Sequence, residues 1–223
     1  ARNVTVAEDP PRFGEESITF ADPSGLLFEL VANDRDRRQP WTGGGLEEDL
    51  AIRGLHSVTM VVRAPDRTVE FMTNRLGFQV TQEMEGRLRL TVNGDAPGKT
   101  IEVVANDRAP AAKNGLGTVH HVAMAITDAA EQLRVRQELV ELGLNVTPVM
   151  DRQYFQSIYF REPGGVLFEI ATVKPGFMID EDMSKLGCAL QLPPWEEPNR
   201  KSIEAGLPKV DLPESQEARK PGS

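Results

Sequence analysis

The feature that most limits what this chain can fold into is an internal repeat. The run Phe20-Ala-Asp-Pro-Ser-Gly-Leu-Leu-Phe-Glu-Leu-Val31 returns as Phe160-Arg-Glu-Pro-Gly-Gly-Val-Leu-Phe-Glu-Ile-Ala171. Each copy predicts two strands joined by a turn that is built on proline and glycine. Self-similarity of this kind indicates that one supersecondary unit occurs more than once along the chain.

A second repeat defines that unit. The run Leu55–Met60 returns as Val119–Met124 after 64 residues, and Leu76–Thr81 returns as Leu142–Thr147 after 66. Each copy predicts an alternating strand, a helix that ends at a glycine, and three more strands, which is a βαβββ unit. The predicted strands span 54–62, 78–84, 87–92 and 100–105 in one unit and 117–126, 145–150, 155–161 and 166–172 in the other, with helices at 66–75 and 128–142.

Tandem βαβββ units predict an α+β fold of open, cup-shaped mixed β-sheets with the helices outside. Residues 1–32 match only the last two strands of a unit and cannot bury their own apolar face. We therefore expect about one and a half units, roughly 90–100 residues, to precede them. The predicted organisation is an incomplete unit at 1–32, a polar linker at 33–50, a structural unit at 51–106, a unit with the candidate site at 117–173, a helical extension at 174–206 with helices at 180–191 and 196–205, and a disordered tail at 207–223.

Composition excludes several classes of function. The net charge of -9 and the absence of a basic stripe argue against nucleic-acid binding. No apolar run approaches the roughly 20 residues of a membrane helix, so no membrane partner is expected. The single cysteine, Cys188, is typical of a reducing compartment and predicts a cytoplasmic protein. The sequence leaves open whether the protein forms homo-oligomers.

Two side chains of the second unit predict a metal site. Because side chains alternate along a strand, His120 and His121 are expected to face opposite ways, with His121 on the face of Ala123 and Ala125, where a ligand has room. Glu169 lies on the matching face of the last strand, and a buried carboxylate needs a partner such as a divalent cation. A histidine and a carboxylate on neighbouring strands are two of the three ligands of a facial triad. The alternative is a hydrogen-bonded core histidine beside a solvated glutamate.

The first unit lacks this pair. Ser57 stands where the second unit has His121, and serine is a poor ligand for such a metal, so we interpret the first unit as structural. Glu102 roughly matches Glu169, but the turn before it is missing. His56 matches His120 and is expected to face away from the cup.

Two further residues are candidates for catalysis. Tyr159 alternates onto the cup face, where its phenol could hydrogen-bond a metal-bound oxygen. Arg152 could neutralise an anionic substrate or intermediate. The alternatives are a tyrosine that packs at the rim and a surface arginine that pairs with Asp151 or Glu162.

Four segments carry a resemblance to a known family. They are Thr118–Ala123, Val146–Phe155, Ser157–Thr172 and Leu192-Pro-Pro-Trp195. The units resemble the vicinal oxygen chelate superfamily, which includes glyoxalase I, bleomycin-resistance proteins and type I extradiol dioxygenases. The segment Asp151-Arg-Gln-Tyr-Phe155 and the Pro-Pro-Trp run are similar to those of hydroquinone-type ring-cleaving dioxygenases.

The resemblance implies a metal-dependent extradiol dioxygenase that uses O2 to open a hydroquinone or catechol-like ring. The expected metal is Fe(II), with Mn(II) as the alternative, and its ligands would be His121 and Glu169. The resemblance also implies that His120, Arg152 and Tyr159 are catalytic residues that contact the substrate or the metal ligands, with His120 and Tyr159 as the candidates for proton handling. The family's third ligand is a histidine in the first strand of the most N-terminal unit, which we expect to precede residue 1. None of the three histidines of this chain stands there, so we expect the chain alone to carry an incomplete triad. Two other functions remain open: a glyoxalase-like lyase or isomerase, and a non-enzymatic binding protein of the bleomycin-resistance type.

Overall fold

Alternating apolar and polar residues build three small β-sheets in the computed structural model, which describes residues 3–42, 45–111 and 113–208. Most of the predicted disordered tail, from residue 209 onward, lies outside these ranges. The strands are β1 Val6–Arg12, β2 Glu15–Ala21, β3 Leu27–Val31, β4 Ser57–Val62, β5 Gln79–Met84, β6 Arg87–Thr91, β7 Thr100–Ala105, β8 Val122–Ile126, β9 Met150–Asp151, β10 Gln156–Arg161 and β11 Leu167–Thr172. The helices are α1 Pro65–Leu76, α2 Ala129–Glu141 and α3 Arg200–Gly206.

The two predicted βαβββ units are confirmed. In the first unit the sheet order is β4-β7-β6-β5, and in the second it is β8-β11-β10-β9. The first strand of each unit runs parallel to the last, while the remaining pairs are antiparallel, so both sheets are mixed. This agrees with the predicted α+β class.

Local sequence sets the ends of the two crossover helices. Helix α1 begins at Pro65, where a missing N–H leaves no hydrogen bond unmade, and it ends at Gly77 in the left-handed region with a φ of 73°. Helix α2 begins after Asp128, whose side chain accepts a hydrogen bond from the backbone N–H of Glu131. None of the helices in the described ranges is long and apolar enough to span a membrane.

Several predicted strand boundaries are wrong. The strand predicted at 117–126 begins at Val122, which pairs with Phe168 near the start of β11. The strand predicted at 145–150 shrinks to Met150–Asp151, because Pro148 has no N–H to donate to a ladder.

Both ends of the described chain also differ from the prediction. Residues 6–31 form three antiparallel strands, in the order β1-β2-β3, where two were predicted. The helix predicted at 180–191 is replaced by isolated 3-10 turns at Phe177–Ile179 and Met183–Lys185. Gly187, with a φ of 74°, departs from helical backbone within that segment. The second predicted helix is confirmed in shortened form as α3 and the 3-10 turn before it.

One apolar cluster joins the two units. It takes buried side chains from both sheets and from both crossover helices, and Phe71 of α1 meets Phe160 of β10 edge to face at 5.9 Å between ring centroids. A buried polar contact adds to it, because the Thr68 hydroxyl donates to Glu162 at 2.8 Å. The opposite faces of the two sheets carry polar and charged side chains, among them Glu102 in the first unit and Glu169 in the second.

Candidate metal centre

His121, Tyr159 and Glu169 converge on one face of the second unit's sheet. Strand pairing places Tyr159 of β10 directly opposite Glu169 of β11. The Tyr159 hydroxyl donates a hydrogen bond of 2.7 Å to Oε1 of Glu169. Nε2 of His121 lies 2.8 Å from the other carboxylate oxygen, Oε2. The predicted convergence of the His121 and Glu169 side chains is therefore what the structure shows.

The geometry of this pair fits a divalent cation. Two neighbouring ligands bound at about 2.1 Å and at right angles lie about 3 Å apart, close to the separation of Nε2 and Oε2. Glu169 is buried at 3% exposure, whereas the His121 side chain is one-third exposed, so the position between them can be reached from solvent. The described part of the chain holds no group of three or more His, Cys, Asp and Glu side chains arranged to bind a metal, so the candidate ligands here are a pair.

His120 contacts His121 instead of facing away from it. The Nδ1 atoms of the two rings are 2.8 Å apart, and the rings are perpendicular. The predicted opposite placement is wrong because both residues precede β8, where strand alternation does not yet hold. With Nδ1 of His121 as the donor in this contact, Nε2 of His121 carries no proton, and its lone pair can bind a metal beside Glu169.

Arg152 lies beside Tyr159 and has no ion pair in the described ranges. Its guanidinium carbon is 5.7 Å from the centroid of the Tyr159 ring. The two carboxylates offered as alternative partners are engaged elsewhere: Asp151 accepts from the backbone N–H of Gln153, and Glu162 accepts from Thr68 and from backbone N–H groups. The guanidinium of Arg152 is therefore available to an incoming anionic group.

The first unit fills the equivalent position with arginines. Glu102 occupies on β7 the place that Glu169 occupies on β11, and it pairs across the strands with Arg89 where Glu169 pairs with Tyr159. Arg89 donates to Glu102 from Nε at 3.1 Å and from Nη2 at 2.6 Å, and Arg87 donates as well. Glu102 is 1% exposed, so both carboxylates are buried, and among the described residues Glu102 is paired with arginines whereas Glu169 is not.

This arginine cluster extends to the sheet β1-β2-β3. Glu15 of β2 accepts from Arg89 at 2.7 Å, and its other carboxylate oxygen lies 3.0 Å from Nε2 of His56. Burial alone would raise the pKa of Glu15, but the hydrogen bonds from Arg89 and His56 hold it below its ordinary value. The prediction that His56 faces away from the cup is wrong. The His56 ring contacts Glu15, the same carboxylate that accepts a hydrogen bond from Arg89.

The cluster of Arg87, Arg89 and Glu102 was not predicted from the sequence. Arg87 and Arg89 alternate onto the same strand face as Glu102 on the neighbouring strand, and that signal was present in the sequence. The contacts of this cluster with Arg12 and Glu15 could not be predicted in this way, because they depend on how two sheets face each other. Arg12 of β1 contacts Glu29 of β3 and lies 4.0 Å from Glu102.

Comparison with known proteins identifies the family. The sequence pattern of the Glyoxalase/Bleomycin resistance protein/Dioxygenase superfamily matches residues 54–170, which contain the first βαβββ unit and the second as far as the middle of β11. The chain belongs to this superfamily. MhqO of Bacillus subtilis (strain 168), provisionally named a ring-cleaving dioxygenase, is 39% identical over 198 residues, which is 88% of this chain and 62% of MhqO.

Two further relatives agree with this assignment. A chlorohydroquinone/hydroquinone 1,2-dioxygenase of Sphingobium indicum is 34% identical over 86% of this chain and 61% of its own length. A crystal structure of a protein from Bacillus subtilis subsp. subtilis str. 168, provisionally described as a dioxygenase, superimposes with a TM-score of 0.84 and 37% identity. That match covers 94% of this chain and 66% of the other. The chain thus spans about three-fifths to two-thirds of the length of these relatives.

Proposed function

We propose that this chain carries the metal-binding face of a ring-cleaving dioxygenase that acts with O2 on a hydroquinone or catechol-like aromatic. The observation that carries the proposal is Glu169, a buried carboxylate whose partners among the described residues are a tyrosine hydroxyl and an imidazole. These partners satisfy the two carboxylate oxygens by hydrogen bonding, and a divalent cation bound by His121 and Glu169 would in addition balance the buried negative charge. The names of the relatives supply the type of reaction.

The metal in this proposal is Fe(II), with Mn(II) as the alternative. Such an ion, when bound, supplies open coordination positions for a substrate oxygen and for O2 and takes part in the electron transfer between them. The chain's own groups hold and orient the reactants. His121 and Glu169 would hold the metal, and His120 would fix the tautomer of His121. A complete facial triad needs one more ligand than this pair provides.

Proton handling falls to Tyr159. Its hydroxyl rests on Glu169 at 2.7 Å, so the proton has a defined position beside the carboxylate that would bind the metal. A substrate that enters as a phenolate can accept the same hydrogen bond, which stabilises the negative charge on its oxygen. Arg152, 5.7 Å from the Tyr159 ring, adds a positive charge on the same side and favours an anionic ring.

The other two functions are separated from this proposal by measurement. A drug-binding protein needs no buried carboxylate beside a histidine, and a lyase or isomerase consumes no O2. The test is oxygen uptake by the iron-loaded protein with hydroquinone as substrate, together with its iron content. Uptake that requires bound iron supports the dioxygenase, and bound iron without uptake contradicts it.

The single cysteine of the chain favours a reducing compartment, and we place the protein in the cytoplasm on that ground.

A further inference from the structure

The turn that carries Arg152 is tied to the segment after β11. Asp180 uses one carboxylate oxygen, Oδ2, to accept hydrogen bonds from Nε2 of Gln153 at 2.9 Å and from the Tyr154 hydroxyl at 3.0 Å. The backbone N–H of Gly176 donates to the Tyr154 carbonyl at 2.8 Å. The rings of Tyr154 and Phe177 pack with their centroids 4.9 Å apart. Four contacts thus join residues 176–180 to two consecutive residues of the turn.

The turn itself is tight and has unfavourable backbone geometry. Gln153 has a φ of 65°, in the left-handed region that side chains other than glycine seldom adopt. Its backbone N–H donates to the Asp151 side chain at 2.8 Å, and Arg152 N–H donates to the Phe155 carbonyl at 2.9 Å. A residue in such a conformation persists only where its surroundings hold it there. Asp180 binds the Gln153 side chain directly and is one of those surroundings.

Arg152 depends on this turn for its position. Its side chain is exposed and makes no ion pair in the described ranges, so no carboxylate fixes the guanidinium. Its polar side-chain contact there is a long one, 3.7 Å, to the sulfur of Met150. The location of the charge beside Tyr159 is therefore set mainly by the backbone of the turn.

We propose that Asp180 is a positioning residue that, by binding Gln153 and Tyr154, holds the Arg152 guanidinium on the substrate side of Tyr159. This inference rests on the proposed function, because the anion that Arg152 would meet is a hydroxylated aromatic ring. Asp180 stands 11 residues beyond Glu169 and has no contact with the candidate ligand pair in the described ranges. Its effect on the site is indirect and passes through Arg152.

The first test measures the turn without any metal. Hydrogen exchange, followed by mass spectrometry on a peptide that covers 150–156, compares the wild type with Asp180→Ala and with Asp182→Ala. Asp182 is a matched control because it is an aspartate two residues away whose side chain makes no hydrogen bond in the described ranges. Faster exchange in Asp180→Ala but not in Asp182→Ala is the expected result. Unchanged exchange in Asp180→Ala would overturn the proposal.

The second test asks whether Asp180 acts through Arg152. The iron-loaded protein is titrated with 4-nitrocatechol, an anionic catechol whose absorbance changes on binding. We expect Asp180→Ala and Arg152→Ala each to raise the dissociation constant roughly tenfold, and the double variant to raise it no further. Two effects that add in the double variant would show that Asp180 acts otherwise. Lack of oxygen uptake by the wild type would contradict the proposed function alone, since neither readout here requires turnover.

Discussion

Glu102 and Glu169 occupy the same position in two sheets of the same design, yet their charges are balanced in different ways. Glu102 faces Arg89 across the strand pair, and Glu169 faces Tyr159. Both carboxylates are buried, at 1% and 3% exposure. A guanidinium stays with the protein, whereas a metal ion must be acquired. The contrast separates a unit whose carboxylate is paired with arginines from one whose carboxylate, as we propose, binds a metal ion.

Substitution of Tyr159 should lower the rate of turnover without lowering the iron content. Tyr159→Phe removes one hydroxyl and little volume, so the fold and the iron content should be kept. Because the lost hydrogen bond would matter as negative charge develops on the substrate oxygen, kcat for hydroquinone should fall roughly 10–1000-fold. Steady-state oxygen uptake paired with iron analysis measures this. Wild-type turnover in Tyr159→Phe would remove Tyr159 from the reaction.

His120 should act on metal affinity through its neighbour. Its Nδ1 lies 2.8 Å from Nδ1 of His121, and loss of such an outer partner typically weakens metal binding about 10–100-fold. His120→Ala should therefore bind Fe(II) more weakly in an anaerobic titration, while His56→Ala, the counterpart change in the first unit, should not. Equal affinity in wild type and His120→Ala would contradict this role.

The arginine cluster should be a source of stability and not of activity. Glu102→Gln removes a buried carboxylate from the half-buried Arg87 and the buried Arg89, and Arg89 keeps Glu15 as a partner. The free energy of unfolding should fall by about 3 kcal/mol, the lower end for a broken buried ion pair. Arg200→Ala breaks exposed pairs with Glu197 and Glu204 and should change it by less than about 1 kcal/mol. Urea unfolding of the three proteins measures both. A Glu102→Gln protein as stable as wild type would refute the structural role.

Acid should weaken the same cluster through Glu15. Its pKa is lower in the folded protein than the ordinary 4.5, so its contribution to stability is present above that value and is lost as the pH falls through the lowered folded-state pKa. Unfolding curves of wild type between about pH 6 and pH 3 should show this loss, in excess of that seen in Glu15→Gln. Parallel pH dependence in the two proteins would show that Glu15 does not contribute.

The close contact between the two units can be tested at a glycine. A methyl group on Gly164 would lie 2.5 Å from the Thr68 hydroxyl oxygen and 2.7 Å from Oε1 of Glu162, both of which are buried. Gly164→Ala should therefore destabilise the protein by about 1–3 kcal/mol. Gly206→Ala, where nothing lies within 4 Å, is the matched control and should be nearly neutral. Thermal unfolding distinguishes them, and equal melting temperatures would contradict the contact.

Much of the fold was predictable because it follows from the internal repeat and from the alternation of residues along each strand. The repeat gave both βαβββ units, and strand alternation placed Tyr159 and Glu169 on one face, as the pairing of β10 with β11 shows. What failed lay at the ends of elements. His120 and His121 precede the first residue of β8, so alternation could not orient them.

Other features depend on how distant segments meet. Glu15 and Arg89 are 74 residues apart, and no local pattern indicates that their sheets face each other. The contact of Asp180 with the Arg152 turn likewise joins a strand connection to a segment that was expected to be helical. Such contacts arise from packing between units, which periodicity within one unit does not report.

Iron content after anaerobic loading with Fe(II) tests the central claim most directly. Wild type, His121→Ala, Glu169→Gln and Ser57→Ala are compared, because Ser57 is the counterpart of His121 in the first unit. We predict bound iron in wild type and Ser57→Ala and its loss from the other two folded variants, since each lacks one of two converging ligands. Full iron in His121→Ala and Glu169→Gln would show that this pair is not the metal site.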